Sequence, residues 1–416
     1  MTPDSPDARL GNWSARPAHR AWLNARADAL FDLFGSRTLN PSGGFHDLDR
    51  TGQPRPGDNP VRPIHATARM AHCFSIGALL GRPGAPEMVD HAMDFLWTRH
   101  RDARQGGYFW SVDDAGAVDA SKQGYGHAFV LLAAASALTI GHPLAAPMLA
   151  DVSEVLDARF WEADHGAIAE EFAADWTPVP GYRGQNSNMH LTEALMAAYE
   201  ATGERLYLER AESIADLVIR RAAGAAGWRL PEHFTESWEV DRGYSGNEMF
   251  RPAGTTPGHS LEWARLLLQL WSLGGRKLDW APDAARGLFA QAMALGWDPV
   301  QGGFFYTLGW DDAPRNRLKL WWPLCEGAGA AHFLNEHAPD PAHEAAYRRI
   351  WGTIDRAFLD RRHGGWQEEC AEDLTPSFTI FPGKGDIYHA LQACLIPLYP
   401  ATGSLTRVIA EGAARA

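Results

Sequence analysis

The stretch GGYFWSVDDAGAVDASKQGYGHAFVLLAAASALT, residues 106–139, followed by PMLADVSEVLDARFW at 147–161, contains one complete structural unit of the chain. It opens on paired glycines and aromatic residues, passes through polar turn-formers, and enters an Ala- and Leu-rich run without strand alternation. That run is apolar on every side, as a buried helix requires. The segment at 147–161 instead spaces its apolar residues by three and four, with charge on the opposite face. One unit therefore predicts a buried helix and an amphipathic helix, introduced by a glycine-aromatic turn.

The pattern recurs along the chain. Gly43-Gly44-Phe45, Gly302-Gly303-Phe304 and Gly364-Gly365-Trp366 repeat the opening, and His165-Gly166 and Gly227-Trp228 are weaker copies. Taking Gly44, Gly107, Gly166, Gly227, Gly303 and Gly365 as one series gives separations of 63, 59, 61, 76 and 62 residues. HLTEALMAAYEAT at 190–202 and HSLEWARLLLQLWSL at 259–273 repeat the buried helix; PEMVDHAMDFLWTRH at 86–100 and ERAESIADLVIRRA at 209–222 repeat the amphipathic one. Six helical hairpins without polar capping repeats predict closure into a ring rather than an open solenoid. The expected fold is all-α, a single (α/α)6 barrel occupying residues 1–416.

Composition narrows the function. With Lys+Arg at 38 against Asp+Glu at 51, the formal charge of −13 disfavours nucleic acid and anionic membranes as partners. The four cysteines form no CxxC pair, so neither a disulfide framework nor a thiolate zinc site is expected. The start, MTPDSPDARLGNWSARP, lacks the apolar core of a signal peptide, and the apolar stretch 129–140 is too short to span a bilayer. A cytoplasmic protein is expected.

Aligning the starts of the inner helices yields a second series: His65, His127, His190, His259, Cys325 and His389, spaced by 62, 63, 69, 66 and 64. Thr256-Pro257-Gly258-His259 reads as an N-cap, proline at the first helical position and histidine in the first turn, and 187–190 and 386–389 are read at the same offset. Parallel inner helices would gather these first turns at one mouth of the barrel. There the helix dipole disfavours imidazolium and suits a neutral general base.

Glu193 and Glu262 follow His190 and His259 by three, Glu326 follows Cys325, and Arg69 lies one turn beyond His65. Tyr125, Asn186, Trp321 and Trp322 lie at or before the helix starts. Aromatic planes with amide, guanidinium and carboxylate groups suit a pyranose. His72, His91, His142 and His332 are read as structural, while His65 and His127 stay open. No HxH or HExxH motif occurs, so no metal is expected, and no glycine-rich nucleotide loop or G-x-S-x-G elbow is present.

The segments His65-Ala-Thr-Ala-Arg69-Met70, Asp119 to Tyr125, Asn186-Ser-Asn-Met-His190, Gly254 to Trp263 and Asp386-Ile-Tyr-His389 together resemble the N-acylglucosamine 2-epimerase superfamily, in its mannose isomerase and sulfoquinovose isomerase branch. The resemblance covers nearly the whole chain. It implies an (α/α)6 barrel and cofactor-free, metal-free interconversion of an aldose, with His259 and His389 as acid/base catalysts. It places Arg69, Tyr125, Asn186, His190, Glu262, Trp322 and Glu326 at sugar-contacting positions.

The favoured activity is aldose to ketose isomerisation of D-mannose to D-fructose, with lyxose-like sugars next, through a cis-enediol. His259 is assigned to ring opening and His389 to the C2 proton, with Arg69 and His190 as donors to O1 and O2. The alternatives are a sugar 2-epimerase, or a sulfoquinovose isomerase for which Arg251 and Lys384 are the cations at hand. From other classes come an inverting glycoside hydrolase using Glu262 and Glu326, and a non-catalytic binding barrel. The segment Gly243 to Phe250, rich in helix-interrupting residues and leading into His259, is a candidate lid.

Overall fold

The computed structural model describes residues 11–55, 57 and 59–415. Most of the N-terminal stretch read above as lacking a signal core, residues 1–10, lies outside them. Thirteen α-helices occur among the described residues. Six form an inner ring: α2 (Ile64–Leu79), α4 (Gly124–Thr139), α6 (Gln185–Thr202), α8 (Pro257–Leu273), α10 (Trp321–His337) and α12 (Tyr388–Leu395). Six more wrap them: α1 (Pro17–Phe34), α3 (Ala85–Phe95), α5 (Ala145–Val155), α7 (Arg205–Ala215), α9 (Ala281–Gln291) and α11 (Pro341–Thr353).

The apolar pattern explains the two layers. Helix α4 is buried on every side from Gly124 to Ala137, so it sits between layers. The outer helix α3 buries Met88, Val89, Ala92 and Met93 and exposes the charged residues between them. Each of α3, α5, α7, α9 and α11 ends in a π-helical turn, a shared irregularity of the repeats.

The ring closes, as the repeat count predicts. Successive inner helices pack side by side, α12 returns to α2, and α1 packs against α12. Leu48–Asp49 pairs antiparallel with Gly383–Lys384, stitching the first connection to the last. The final helix, α13 (Leu405–Arg415), packs across α2, α4 and α6, and Ser404 N–H donates to Glu200 at the C-terminal end of α6. It covers the floor, so the open mouth lies at the helix N-termini.

Long connections of two- and three-residue strands build that mouth. Glycines of the paired turns take positive φ, +70° at Gly107, where a Cβ would also meet Trp176 and His127. Buried cations tie these connections down: Lys122 to Asp102 at 2.8 Å, Lys319 to Asp298 at 3.0 Å and Lys384 to Asp360 at 2.7 Å, with Arg183 on Glu162 in the third connection.

Candidate active site

Each connection delivers a side chain to the mouth a few residues beyond its turn. The carbonyls of Trp110, Glu170, Glu232 and Glu368 accept the first N–H of α2, α4, α6 and α10, which fixes their positions over the barrel end. The side chains of Glu232 and Glu368 then cap the next inner helix, accepting from Thr256 N–H at 3.1 Å and Asp386 N–H at 2.8 Å.

His259 and His389 come together against Trp322, with ring centroids 4.9 and 5.9 Å from it. His259 Nδ1 lies 2.8 Å from Glu232 Oε2, and His389 Nδ1 lies 2.9 Å from Glu326 Oε1. The Nε2 atom of each ring meets no protein partner among the described residues. Both rings are buried, so the two unengaged nitrogens are largely shielded from bulk water.

Beneath them, Arg265 reaches three carboxylates: Glu326 at 3.0 Å, Glu193 at 3.4 Å and Glu262 at 3.9 Å. Against the pull of burial, the Arg265 cation and the His389 hydrogen bond hold Glu326 down to about 2. Burial, reinforced by the Glu326 charge, pushes Glu262 well above the ordinary carboxylate range. Glu326 is thus the ionised member and Glu262 the neutral one. Burial and the Arg69 cation likewise keep His190 neutral.

His190 Nδ1 stands 3.7 Å from Glu262 Oε1, and neither that nitrogen nor either Glu262 oxygen has a protein hydrogen-bond partner. Orphaned buried polar atoms at one place mark a ligand position. His190, Glu193 and Glu262 also lie close enough together to hold a metal ion. Arg265 already places its cation against both carboxylates, and the Tyr388 hydroxyl donates to the other oxygen of Glu193.

Arg69 closes another wall. It donates to Tyr125 hydroxyl at 2.9 Å and Asp386 at 3.2 Å, between the rings of Phe129 and Tyr388. Tyr125 meets His190 edge-on at 5.1 Å. Asn186 Nδ2 donates to Phe250 carbonyl, and its Oδ1 is buried without a partner. The Phe250 ring lies on His65, Trp110 and Tyr125, so the segment read as a candidate lid rests over this cluster.

The geometry corrects one reading and decides two others. His190 does not share the first-turn offset: α6 starts at Gln185, which puts His190 a turn deeper, beside Arg265 and Glu262. Burial, more than the helix dipole, keeps it neutral. His127, left open, is a satisfied core residue whose Nε2 accepts Tyr108 N–H and whose Nδ1 meets Gln123 carbonyl. Lys384 and Arg251, the cations at hand for the alternative anionic sugar, are both taken: Lys384 is buried on Asp360 and Gly364 carbonyl, and Arg251 is engaged by Glu170 and Glu171.

All nine expected site residues belong to this one contiguous cluster. Sequence reading missed Gln185, Glu232, Arg265, Asp386 as a site residue, and Tyr388. Arg265 was visible as the third member of His259, Glu262, Arg265 at helical spacing. Asp386, read only as a cap, both caps His389 N–H at 3.1 Å and holds Arg69.

The sequence profile of N-acylglucosamine 2-epimerases matches residues 43–393. D-mannose isomerase from Pseudomonas cannabina pv. alisalensis is 40% identical over 98% of this chain and 99% of its own length. D-mannose isomerase from Thermobifida fusca is 41% identical over 96% and 98%. A crystal structure of D-mannose isomerase superposes with a TM-score of 0.86 at 30% identity, covering 92% of this chain and 99% of that one. Cellobiose 2-epimerase from Spirochaeta thermophila, at 23% identity and a TM-score of 0.81, shares the fold. This chain therefore belongs to the N-acylglucosamine 2-epimerase family.

Proposed function

We propose that this protein is an aldose-ketose isomerase that interconverts D-mannose and D-fructose. One observation carries the reading: two buried histidines, each with Nδ1 on a glutamate and Nε2 unengaged, stand against one tryptophan in a single pocket. That is a pair of proton-transfer groups beside a surface suited to a sugar ring. The near full-length likeness to D-mannose isomerases supports the choice of sugar.

The chemistry needs only proton movement. His259 assists opening of the pyranose, which exposes the C1 aldehyde and acidifies the C2 hydrogen. His389 Nε2 takes that proton, and the electron pair forms the C1–C2 double bond as O1 gains a proton. The resulting cis-enediol is stabilised by Arg69, His190 and the neutral carboxyl of Glu262, in a pocket where such contacts are strong. Return of the proton to C1, with loss of the O2 proton, yields the ketose; C2 is oxidised and C1 reduced, with no external electron carrier.

Tyr125 and Asn186 supply hydroxyl and amide contacts, Trp322 the stacking plane, and Glu326 the charge behind His389. The engagement of Lys384 and Arg251 by carboxylates favours a sugar with an unmodified C6 hydroxyl over a sulfonated one. The test is to incubate EDTA-treated protein with D-mannose and follow products by proton NMR. Fructose is expected; glucose in its place makes the protein a 2-epimerase, and turnover of sulfoquinovose alone overturns the substrate.

A further inference from the structure

Three mouth glutamates occupy equivalent places after their turns, Glu170, Glu232 and Glu368, and at least Glu232 and Glu368 cap an inner helix. A purely architectural role would treat them alike. They are not alike. Burial, with the Asp386 charge, pushes Glu368 well above the ordinary range, and burial raises Glu170. Glu232 is as buried, yet His259 holds it below that range. Among the three, Glu232 is the one whose second oxygen meets a histidine nitrogen, His259 Nδ1, beyond the oxygen that caps the helix.

The second observation is how Gln185 is held. Its Oε1 accepts Trp263 indole N–H at 2.7 Å, so the amide cannot flip without losing that bond. Its Nε2 therefore faces both Glu232 Oε2 at 2.7 Å and His259 Nδ1 at 3.0 Å. The amide has a hydrogen for each, so the ring state is decided by the third contact: an unprotonated Nδ1 would set two acceptors, nitrogen and carboxylate oxygen, 2.8 Å apart, and Nδ1 must therefore carry the hydrogen and donate to Glu232 Oε2. The Nδ1–H form is the one that leaves no acceptor facing the Glu232 carboxylate.

We propose that Glu232, fixed by Gln185 and Trp263, is a positioning residue that holds His259 with its hydrogen on Nδ1 and so turns Nε2, the proton-transferring atom, toward the sugar. The inference rests on the isomerase reading for its kinetic consequence but not for the ring state itself. It also separates the two histidine-glutamate pairs. Glu326 shares its charge with Arg265, whereas no Lys or Arg bonds Glu232 among the described residues, and its other partners are the neutral Gln185 amide and Thr256 N–H. An imidazolium formed at His259 during ring opening therefore meets a carboxylate not already neutralised.

Glu232→Gln tests this, because the amide oxygen keeps the Thr256 cap while its NH2 confronts Nδ1. The ring must then accept at Nδ1 and carry its hydrogen on Nε2. The protein labelled with 15N-histidine is compared as wild type, Glu232→Gln, and His259→Asn to assign the resonance. The expected result is the Nδ1–H form in wild type and the Nε2–H form in Glu232→Gln. With it, kcat should fall about a hundredfold or more, KM should stay within about threefold, and the thermal midpoint should be little changed. Glu232→Asp, which keeps the charge, should recover part of the turnover. An Nε2–H ring in wild type, or a Glu232→Gln kcat within about threefold, overturns the inference. Failure of wild type to turn over D-mannose would overturn the functional reading instead, leaving the ring state to be judged by the spectrum.

Discussion

Arg265 Nε lies 3.0 Å from Glu326 Oε2, and the other oxygen of that carboxylate binds His389 Nδ1 at 2.9 Å. One buried cation thus sets the charge of the group behind a proposed catalytic histidine while neutralising the carboxylates around it. Removing it as Arg265→Met leaves Glu193 and Glu326 buried without a counter-ion. The expected loss is about 3–5 kcal/mol of stability in denaturant unfolding. A loss below about 1 kcal/mol would mean the cluster is solvated.

The same ion pair predicts an acid dependence. Glu326 is held down to about 2 from its ordinary 4.5, so the unfolded chain binds its proton first as pH falls. Its contribution is complete above about pH 4.5 and is lost as pH drops toward 2. Glu326→Gln should therefore unfold at a lower temperature than wild type at pH 6, with the difference shrinking by pH 3. A constant difference across that range would refute the assignment.

Glu262 predicts the opposite slope. Its folded form keeps a proton that the unfolded chain releases above its ordinary 4.5, so its contribution to stability falls as pH rises through neutrality. Glu262→Gln cannot ionise. Its thermal midpoint, read by calorimetry, should match wild type near about pH 4 and exceed it by a few degrees near about pH 7.

Gly258 lies beneath Trp322, where an added Cβ would collide with the six-membered part of the indole and with Pro323 at 2.9 Å. Gly258→Ala should push the stacking plane out of place. The expected outcome is a KM for D-mannose raised about tenfold with little change in thermal midpoint, read by steady-state kinetics and calorimetry. An unchanged KM would remove Trp322 from the sugar site.

Lys384 distinguishes scaffold from specificity. Lys384→Met strands Asp360 in the connection and should lower stability by about 3–5 kcal/mol, with the KM for D-mannose unchanged in the surviving folded protein. Full stability coupled to loss of activity on a sulfonated sugar would restore Lys384 as an anion-binding group.

The repeat made the fold legible, because six glycine-aromatic turns and alternating buried and amphipathic helices leave few closed arrangements. The histidine series found His259 and His389 for the same reason. Glu232 escaped because its turn is longer: Trp110, Tyr306 and Glu368 follow their second glycine by three residues, Glu170 follows Gly166 by four and Glu232 follows Gly227 by five. The equivalence of Trp110, Glu170, Glu232 and Glu368 appears only when backbone hydrogen bonds align them. His190 was misplaced by a turn because helix starts drift relative to a fixed residue series. Arg265 was signalled by its helical spacing from His259 and Glu262, but in an apolar helix a lone cation reads as surface until three carboxylates converge on it.

The central claim is that His389 carries the C2 proton between carbons. The most direct measurement is isomerisation of D-mannose in deuterated water by wild type and His389→Asn, with deuterium at C1 of fructose read by NMR. Transfer through His389 predicts deuterium at C1 in the fraction of wild-type product whose histidine exchanged with solvent before returning the proton, and a fall of at least about a hundredfold in both fructose formation and C2 exchange in the variant. Fructose that retains all of its original hydrogen, formed at an undiminished rate by His389→Asn, would contradict the mechanism.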